Sequence, residues 1–351
     1  MNKPTLASLA AELNLSRQTV SNVINFPDRV RPETRARVQE AIERSGYRPS
    51  AAARALRNQR AMALGLRLSN PRNGISGSIM DSFTHSLVER ADQSGYRVVL
   101  FPARTNDEEV DKLVELRRTL AIDACILTDT WLDDTRPAQL TEAGVPFASF
   151  GRPWGSVDHG RWADVDGRAG AAEAAAYLRA QGHERIGYLG WSDGSPVGKD
   201  RRAGWAGALG LSAAAEEQLA VEVEDTVDDG AEGMKELLAR GATAVVCASD
   251  TLSLGAYTVL RRRGASGRWI IGFDNTPVAR ELGISSMVQP VEDVAATVLD
   301  MVLRQIADPA VELRGVLVPP VLVARDGSGV IGSGYTDDAP APLEGNTTHA
   351  P

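Results

Sequence analysis

Four polar residues at helical spacing carry the most readable chemistry of this 351-residue sequence: Arg17, Gln18, Ser21 and Asn22. Side chains of these types can donate and accept hydrogen bonds on base edges in the major groove of DNA. Short polar side chains flank them and could hold backbone phosphates, which fixes register with little sequence preference. These candidate phosphate contacts are Thr5, Ser16, Thr19 and Asn25.

Two short helices must position these side chains. Apolar residues recur at helical spacing from Leu6 to Leu13, Asn14 interrupts the run, and Ser16 can cap a second helix that buries Val20, Val23 and Ile24. A third helix is predicted from Pro32 to Ser45. The pattern predicts a helix-turn-helix, although an ordinary helical hairpin with a solvated polar face fits the first two helices equally well.

The distribution of charge favours the DNA-binding alternative. The whole chain has a net charge of -8, but residues 1–60 hold 11 Lys and Arg against 5 Asp and Glu, and the remainder holds 27 against 41. A basic headpiece on an acidic body predicts salt-sensitive DNA binding at one end of the chain.

The sequence resembles the lactose-repressor (LacI/GalR-type) family of bacterial transcription regulators. The resemblance begins in TLASLAAELNLSRQTVSNVIN and VRPETRARVQEAIERSGYRPSAAARAL, and it continues in VDGRAGAAEAAAYLRAQGHERIGYLG, DRRAGWAGAL, CASDTLSLGAY, IIGFDNTP and LVARDGSG. Asn14 stands where the family usually has Gly, and because Asn tolerates the left-handed backbone, we expect the turn to survive. The family implies double-stranded operator DNA, a homodimer and a small-molecule effector, with no cofactor.

The resemblance also implies a hinge helix from Ser50 to Arg57 that pairs with its dimer mate in the minor groove. The matching residues are Ser50, Ala53, Arg54 and Leu56, with Leu56 as the wedge between base steps. Two helical turns are too few to be stable alone, so the segment needs a partner. Without the headpiece, a plain interdomain linker would explain it as well.

From Met62 onward, short β-rich runs alternate with helices, which predicts parallel sheets covered on both faces. A second βα series begins at Trp162, so we expect a periplasmic-binding-protein-like α/β body of two doubly wound parallel-sheet subdomains. The predicted segments are a headpiece at 1–49, a hinge at 50–60, an N-terminal subdomain at 61–161 with 290–320, a C-terminal subdomain at 162–289 with 321–331, and a disordered tail at 332–351.

The family's effector pocket lies between the subdomains, and the resemblance transfers several positions to it: Arg201, Asp274, Ser249 and Arg152. A guanidinium can donate two parallel hydrogen bonds to neighbouring hydroxyls while a carboxylate accepts others, as a sugar requires. Trp191 could stack on a sugar ring, as could Trp131 and Trp154, although most Trp residues are core or surface anchors. Gly151 replaces an Asp that the family usually has, which leaves the ligand's identity open.

The sequence gives little support for an enzyme or a membrane protein. GSPVGKD lacks the spacing and the Ser or Thr of a phosphate loop, and the four His show no metal-ligand spacing. Cys125 and Cys247 lie in separate apolar runs and are expected to be reduced and buried. We therefore predict a cytoplasmic, dimeric, non-enzymatic repressor controlled by a sugar or oligosaccharide. A corepressor-dependent regulator, a sugar-binding transport receptor and an enzyme acting on the ligand are the alternatives.

Overall fold

The computed structural model describes residues 4–47, 60–68, 77–155, 158–263, 269–325 and 330–331. The predicted hinge helix and the predicted disordered tail from 332 lie outside the described residues, so both stay predictions. Among the helices that are described, none is long and apolar enough to span a bilayer.

The N-terminal unit is a small helical bundle. It comprises α1 (Leu6–Glu12), α2 (Arg17–Asn25), a 3-10 turn (Pro27–Arg29) and α3 (Pro32–Ser45), which ends at Gly46 in the left-handed conformation. A separate core holds the helices together; its fully buried members are Leu9, Ala10, Val20, Val23, Val38 and Ala41. The helix-turn-helix and its third helix are thus confirmed, because the apolar stripes of the three helices pack together in this core.

The turn between α1 and α2 depends on Asn14. This residue has φ +54°, and the Leu15 N–H donates to the Ala10 carbonyl at 2.9 Å, which closes the end of α1. Ser16 then begins α2 by accepting the Thr19 N–H at 3.0 Å. The expectation that Asn would support the left-handed turn is confirmed.

The first body sheet is wholly parallel, with strand order β11-β5-β4-β3-β1-β2. Its strands are β1 (Ala63–Arg67), β2 (Arg97–Phe101), β3 (Ala124–Leu127), β4 (Phe147–Phe150), β5 (Trp162–Val165) and β11 (Val316–Val318). The helices of this subdomain are α4 (Gly77–Gln93), α5 (Asn106–Arg118), α6 (Arg136–Glu142) and, far along the chain, α13 (Val291–Ala307). The chain returns to this subdomain late in the sequence, since α13 packs on α4, β4 and β5.

The second sheet has the order β13-β12-β10-β9-β8-β6-β7. Its strands are β6 (Ile186–Trp191), β7 (Ala220–Val223), β8 (Ala244–Cys247), β9 (Ile270–Phe273), β10 (Ser285–Val288), β12 (Val321–Arg325) and β13 (Val330–Ile331). Its helices are α7 (Gly167–Ala180), α8 (Pro196–Leu209), α9 (Ala213–Leu219), α10 (Val227–Ala239), α11 (Asp250–Arg262) and α12 (Pro277–Glu281). The sheet is parallel from β7 to β10, whereas β12 and β13 run antiparallel at its edge.

One strand lies in a different sheet from the one predicted. The sequence reading began the second βα series at Trp162, but Trp162–Val165 pairs in parallel with both Phe147–Phe150 and Val316–Val318 of the first sheet. The reading was therefore one strand early, because a four-residue strand carries no local mark of the sheet it joins. The chain crosses between subdomains after β5, after β10 and between β11 and β12, and the Asp166 N–H donates to the Val318 carbonyl at 2.9 Å where two crossings meet.

The two cysteines are core residues, as predicted. Cys125 lies in β3 and Cys247 in β8, each almost fully buried and without a disulfide. Burial raises the pKa of both thiols, so they remain protonated and unreactive at neutral pH.

Candidate functional site

The predicted base-reading residues lie on α2. Arg17 and Gln18 are exposed, and Ser21 and Asn22 are half-buried, on the side of the helix away from Val20 and Val23. The Gln18 side-chain amide donates to the Asn22 side-chain oxygen Oδ1 at 2.9 Å. This bond orients both side-chain amides, which lie one helical turn apart. Such paired amides can present donors and acceptors together to a base edge.

Three of the predicted phosphate contacts, Thr5, Ser16 and Thr19, lie at helix beginnings, whereas Asn25 is the last residue of α2. Thr5 caps α1 by accepting the Ser8 N–H at 3.1 Å, and Ser16 caps α2 while its hydroxyl lies 2.8 Å from that of Thr19. The side chain of Asn25 lies outside the described part of the chain. The caps at Thr5 and Ser16 face the amide ends of helices, where the backbone dipole favours an anion such as phosphate.

A cavity of about 1020 Å³ lies between the two body subdomains. Most of its lining follows the carboxyl ends of parallel strands: Asp129 to Trp131 after β3, Gly151 after β4, Asp193 after β6, Asp225 after β7 and Asp274 after β9. Ligand sites of open α/β sheets lie in this position, because the loops at that edge converge. Helix α4 and the beginning of α8 complete the wall.

Arg201 on α8 is the central cation of this cavity. Its guanidinium lies over the ring of Phe273 at 3.7 Å and near that of Trp191 at 5.1 Å, and its Nη1 donates to the Ala248 carbonyl at 2.5 Å. Its Nε is buried and has no hydrogen-bond acceptor within the described residues. Burial lowers the pKa of the guanidinium, and the charge of Asp274 opposes that shift. A ligand hydroxyl would satisfy the remaining donor.

Asp274 faces the same cavity from the end of β9, with φ +125°. The Gln289 amide donates to its Oδ1 at 2.6 Å. Burial, followed by repulsion from Asp250, raises the pKa of Asp274 to about 8, although Arg201 and Gln289 oppose the shift. Asp274 can therefore hold a proton near neutral pH and donate a hydrogen bond to a ligand oxygen.

Two tryptophans line the cavity from opposite subdomains. Trp191 ends β6, and Trp131 follows β3 with 44% of its surface exposed. Trp154, the third candidate, is absent from the described lining; its ring instead supports the Arg152 guanidinium at 4.5 Å. The cavity thus offers two aromatic faces.

Ser249 and Arg152 do not line the cavity, which differs from their expected direct contact with the effector. Ser249 is fully buried as the N-cap of α11, and its hydroxyl donates to Asp225 at 2.6 Å. Arg152 donates to Asp164 at 2.8 Å and lies 3.3 Å from Asp200 of the other subdomain. Asp164 and Asp225 do line the cavity. Arg152 and Ser249 are thus each hydrogen-bonded to a carboxylate of the cavity lining.

Carboxylates dominate the lining, and the sequence reading missed most of them. Those described are Asp81, Asp129, Asp164, Asp193, Glu224, Asp225 and Asp274. Several directly follow a predicted strand, and that position is the signal that could have found them. Two guanidiniums, of Arg67 and Arg201, stand against them among the described lining residues. The Arg67 guanidinium is engaged by Glu109 at 2.9 Å.

Comparison with known proteins gives matches along most of the chain. Residues 5–50 match the model for bacterial regulatory proteins of the lacI family, and residues 175–328 match that for the periplasmic binding protein-like domain. The chain is 31% identical, over 93% of its length and 98% of the relative's, to the HTH-type transcriptional regulator CelR of Thermobifida fusca.

Solved structures agree with this match. A transcriptional regulator CelR–cellobiose complex superposes with a TM-score of 0.65 at 28% identity, covering 92% of this chain and 99% of that one. The lac repressor dimer bound to operator and the anti-inducer ONPF has a TM-score of 0.78 at 22% identity, covering 92% and 98%, and supports the fold. With its helix-turn-helix headpiece and two-subdomain body, the chain belongs to the lactose-repressor (LacI/GalR) family of DNA-binding transcriptional regulators.

Proposed function

We propose that this regulator is a dimeric repressor whose affinity for its operator is controlled by a neutral saccharide bound between the body subdomains. The observation that carries the proposal is the presence, on one chain, of a basic helix-turn-helix and a large cavity lined by Arg201, Asp274 and two tryptophans. A DNA-reading element and a ligand cavity on one polypeptide are the two sites that allosteric control requires.

On the DNA side, Arg17, Gln18 and Asn22 select bases, with Ser21 at the edge of the contact. Thr5, Ser16, Thr19 and Asn25 hold phosphates and fix the register of α2 in the groove. The exposure of Arg17 and Gln18 and the amide pair of Gln18 with Asn22 support this division. The hinge residues Ser50, Ala53, Arg54 and Leu56 enter the central minor groove of the operator.

On the ligand side, the cavity favours a saccharide of more than one ring. Its volume of about 1020 Å³ lies at the upper end for small-molecule sites. Trp131 and Trp191 offer one apolar ring face from each subdomain, while Arg201 and Asp274 offer hydrogen bonds between them. A relative of 28% identity is described in complex with cellobiose, a neutral disaccharide.

The charge of the lining disfavours an anionic sugar. Seven carboxyl groups, of which that of Asp274 can hold a proton near neutral pH, and two guanidiniums line the described part of the cavity. Arg67 is engaged by Glu109, and Arg201 is engaged by the Ala248 carbonyl. A phosphorylated or acidic sugar would enter a field of its own sign, whereas neutral hydroxyls can donate to the carboxylates.

Exposed apolar side chains support the dimer. Val278 and Leu282 are 41% and 37% exposed at α12 of the second subdomain. Burial of such side chains against a second copy would remove apolar surface from water, and a dimer would bring two headpieces to two half-sites.

Ligand binding would close the cleft, move the N-terminal subdomains of the dimer and weaken the pairing of the hinges. A difference in ligand affinity between two body states of about 1–3 kcal/mol is enough for such coupling. If the ligand instead preferred the DNA-competent state, it would act as a corepressor.

The test is binding of the full-length protein to labelled DNA from its own upstream region, followed by fluorescence anisotropy. Salt is titrated first, and then cellobiose, maltose, lactose and sucrose are added one at a time. A specific complex that weakens steeply with salt and is released by one disaccharide supports the proposal. Tightening by a disaccharide assigns a corepressor instead, consumption of the sugar assigns an enzyme, and saccharide binding without any specific DNA complex assigns a solute-binding protein.

A further inference from the structure

Gly151 lies in the cavity wall and leaves a space that the side chain of Thr130 occupies. It has φ +117°, a conformation that residues with a side chain rarely adopt, and a Cβ added there would lie 2.2 Å from the Thr130 Oγ1. Hydrogen bonds fix the loop at this approach: the Gly151 N–H donates to the Ala163 carbonyl at 3.0 Å, and the Ser149 hydroxyl donates to the Gly151 carbonyl at 3.0 Å. The volume of a side chain at 151 is therefore occupied by Thr130.

The Thr130 hydroxyl is available to a ligand. Thr130 is half-buried and lines the cavity three residues after the end of β3. Within the described residues, its hydroxyl makes no hydrogen bond, although a hydroxyl can donate one and accept two. A half-buried hydroxyl without a protein partner at a cavity wall is suited to bond a ligand.

A second threonine of the same wall provides the contrast. Thr84 on α4 also lines the cavity and is also half-buried, but its hydroxyl donates to the Met80 carbonyl of its own helix at 2.8 Å. Its hydrogen-bonding capacity is thus partly used within the fold. The two residues share chemistry, burial and cavity and differ in whether the donor is engaged.

We propose that Thr130, placed in the space that Gly151 leaves, contacts the ligand and helps to determine its specificity by a hydrogen bond between its hydroxyl and a ligand hydroxyl. This inference rests on the proposed saccharide function and names a residue that recognises the ligand. A neutral hydroxyl can donate as well as accept, so it discriminates by the position of a ligand hydroxyl rather than by charge.

The test compares four full-length proteins by isothermal titration calorimetry: wild type, Thr130→Val, Thr130→Ser and the matched control Thr84→Val. The probes are cellobiose, maltose, lactose and sucrose, followed by monodeoxy analogues of the disaccharide that wild type binds. Thr130→Val is expected to weaken binding about fivefold to tenfold, the loss of one neutral hydrogen bond. Thr130→Ser and Thr84→Val are expected to stay within about twofold of wild type.

The monodeoxy analogues distinguish a direct hydrogen bond between Thr130 and the ligand from a structural role of Thr130. One analogue should bind wild type more weakly by the same factor, and Thr130→Val should not distinguish it from the parent sugar, because each change removes the same bond. Equal effects of Thr130→Val and Thr84→Val, or additive losses with every analogue, would overturn the inference while leaving the saccharide function intact. If wild type bound none of the four disaccharides, the proposed ligand class itself would fail, and the inference with it.

Discussion

The environment of Asp274 makes protonation part of the cavity's chemistry. Burial, aided by the charge of Asp250, raises the pKa of this carboxyl to about 8, while its value in an unfolded chain is 3.8. Between these values the folded state binds the proton and the unfolded state does not. The stability that the neutral carboxyl provides is therefore fully present below about pH 4 and is lost as pH rises toward 8.

We predict that the free energy of unfolding of Asp274→Asn falls less steeply with pH than that of wild type. The free energy of unfolding of wild type, compared with that of the variant, should fall between pH 5 and 8 by at most about 1.4 kcal/mol per pH unit and level off above. Urea denaturation at pH 5, 6, 7, 8 and 9 measures both curves. Parallel curves for the two proteins would show that Asp274 is ionised throughout.

At the scale of single residues, the sequence predicted which residue types line the cavity better than it predicted their hydrogen-bond partners. Arg201, Asp274 and Trp191 line it as the motifs indicated. Ser249 and Arg152 do not, because an N-cap and an ion pair with Asp164 use their polar groups. Neither use is visible locally: Asp225, which Ser249 bonds, is 24 residues away along the chain, and Asp164 is 12 residues from Arg152.

At the scale of elements, the turn before α2 determines the orientation of the helix that carries the proposed base-reading residues. Asn14 holds φ +54°, which Asn and Gly adopt with little strain. We predict that Asn14→Val destabilises the headpiece by about 1–2 kcal/mol, because a β-branched side chain opposes that conformation. Asn14→Gly is the matched control and should leave it nearly unchanged.

Hydrogen exchange of the full-length protein, read by mass spectrometry over residues 6–45, measures this effect. Faster exchange in Asn14→Val alone, accompanied by weaker operator binding, is the expected result. Unchanged protection in Asn14→Val would mean that the turn tolerates a β-branched residue and that Asn14 is incidental to it.

The elements that sequence reading missed are the short ones. Arg136–Glu142, Ala213–Leu219 and Pro277–Glu281 span two turns or fewer, so each shows too little apolar periodicity to be distinguished from a loop. Longer helices such as Val291–Ala307 show enough apolar periodicity for the alternation of strands and helices to be predicted. The sheet to which Trp162–Val165 belongs was misjudged because strand pairing is a long-range property.

At the scale of the whole molecule, basic and acidic charge are divided between headpiece and body. Residues 1–60 have an excess of six positive charges, 11 against 5, and the remainder has an excess of fourteen negative charges, 27 against 41. The net charge of the body therefore opposes DNA binding while that of the headpiece favours it, and in the proposed dimer affinity depends on placing two headpieces correctly. A ligand that alters that placement can control binding without touching the DNA.

Arg201 and its neighbour Arg202 allow the most direct test of this account. Arg201 points into the cavity, whereas Arg202 donates to Glu216 at 2.7 Å and to Glu222 at 3.0 Å outside the described lining. Operator affinity is measured by anisotropy for wild type, Arg201→Ala and Arg202→Ala, with and without the disaccharide to which wild type responds.

We predict equal operator affinity in all three proteins without sugar. The sugar should change that affinity about tenfold in wild type and Arg202→Ala and less than about twofold in Arg201→Ala, within the range of allosteric coupling. An Arg201→Ala protein that bound operator normally and still responded to the sugar as wild type does would contradict control through this cavity.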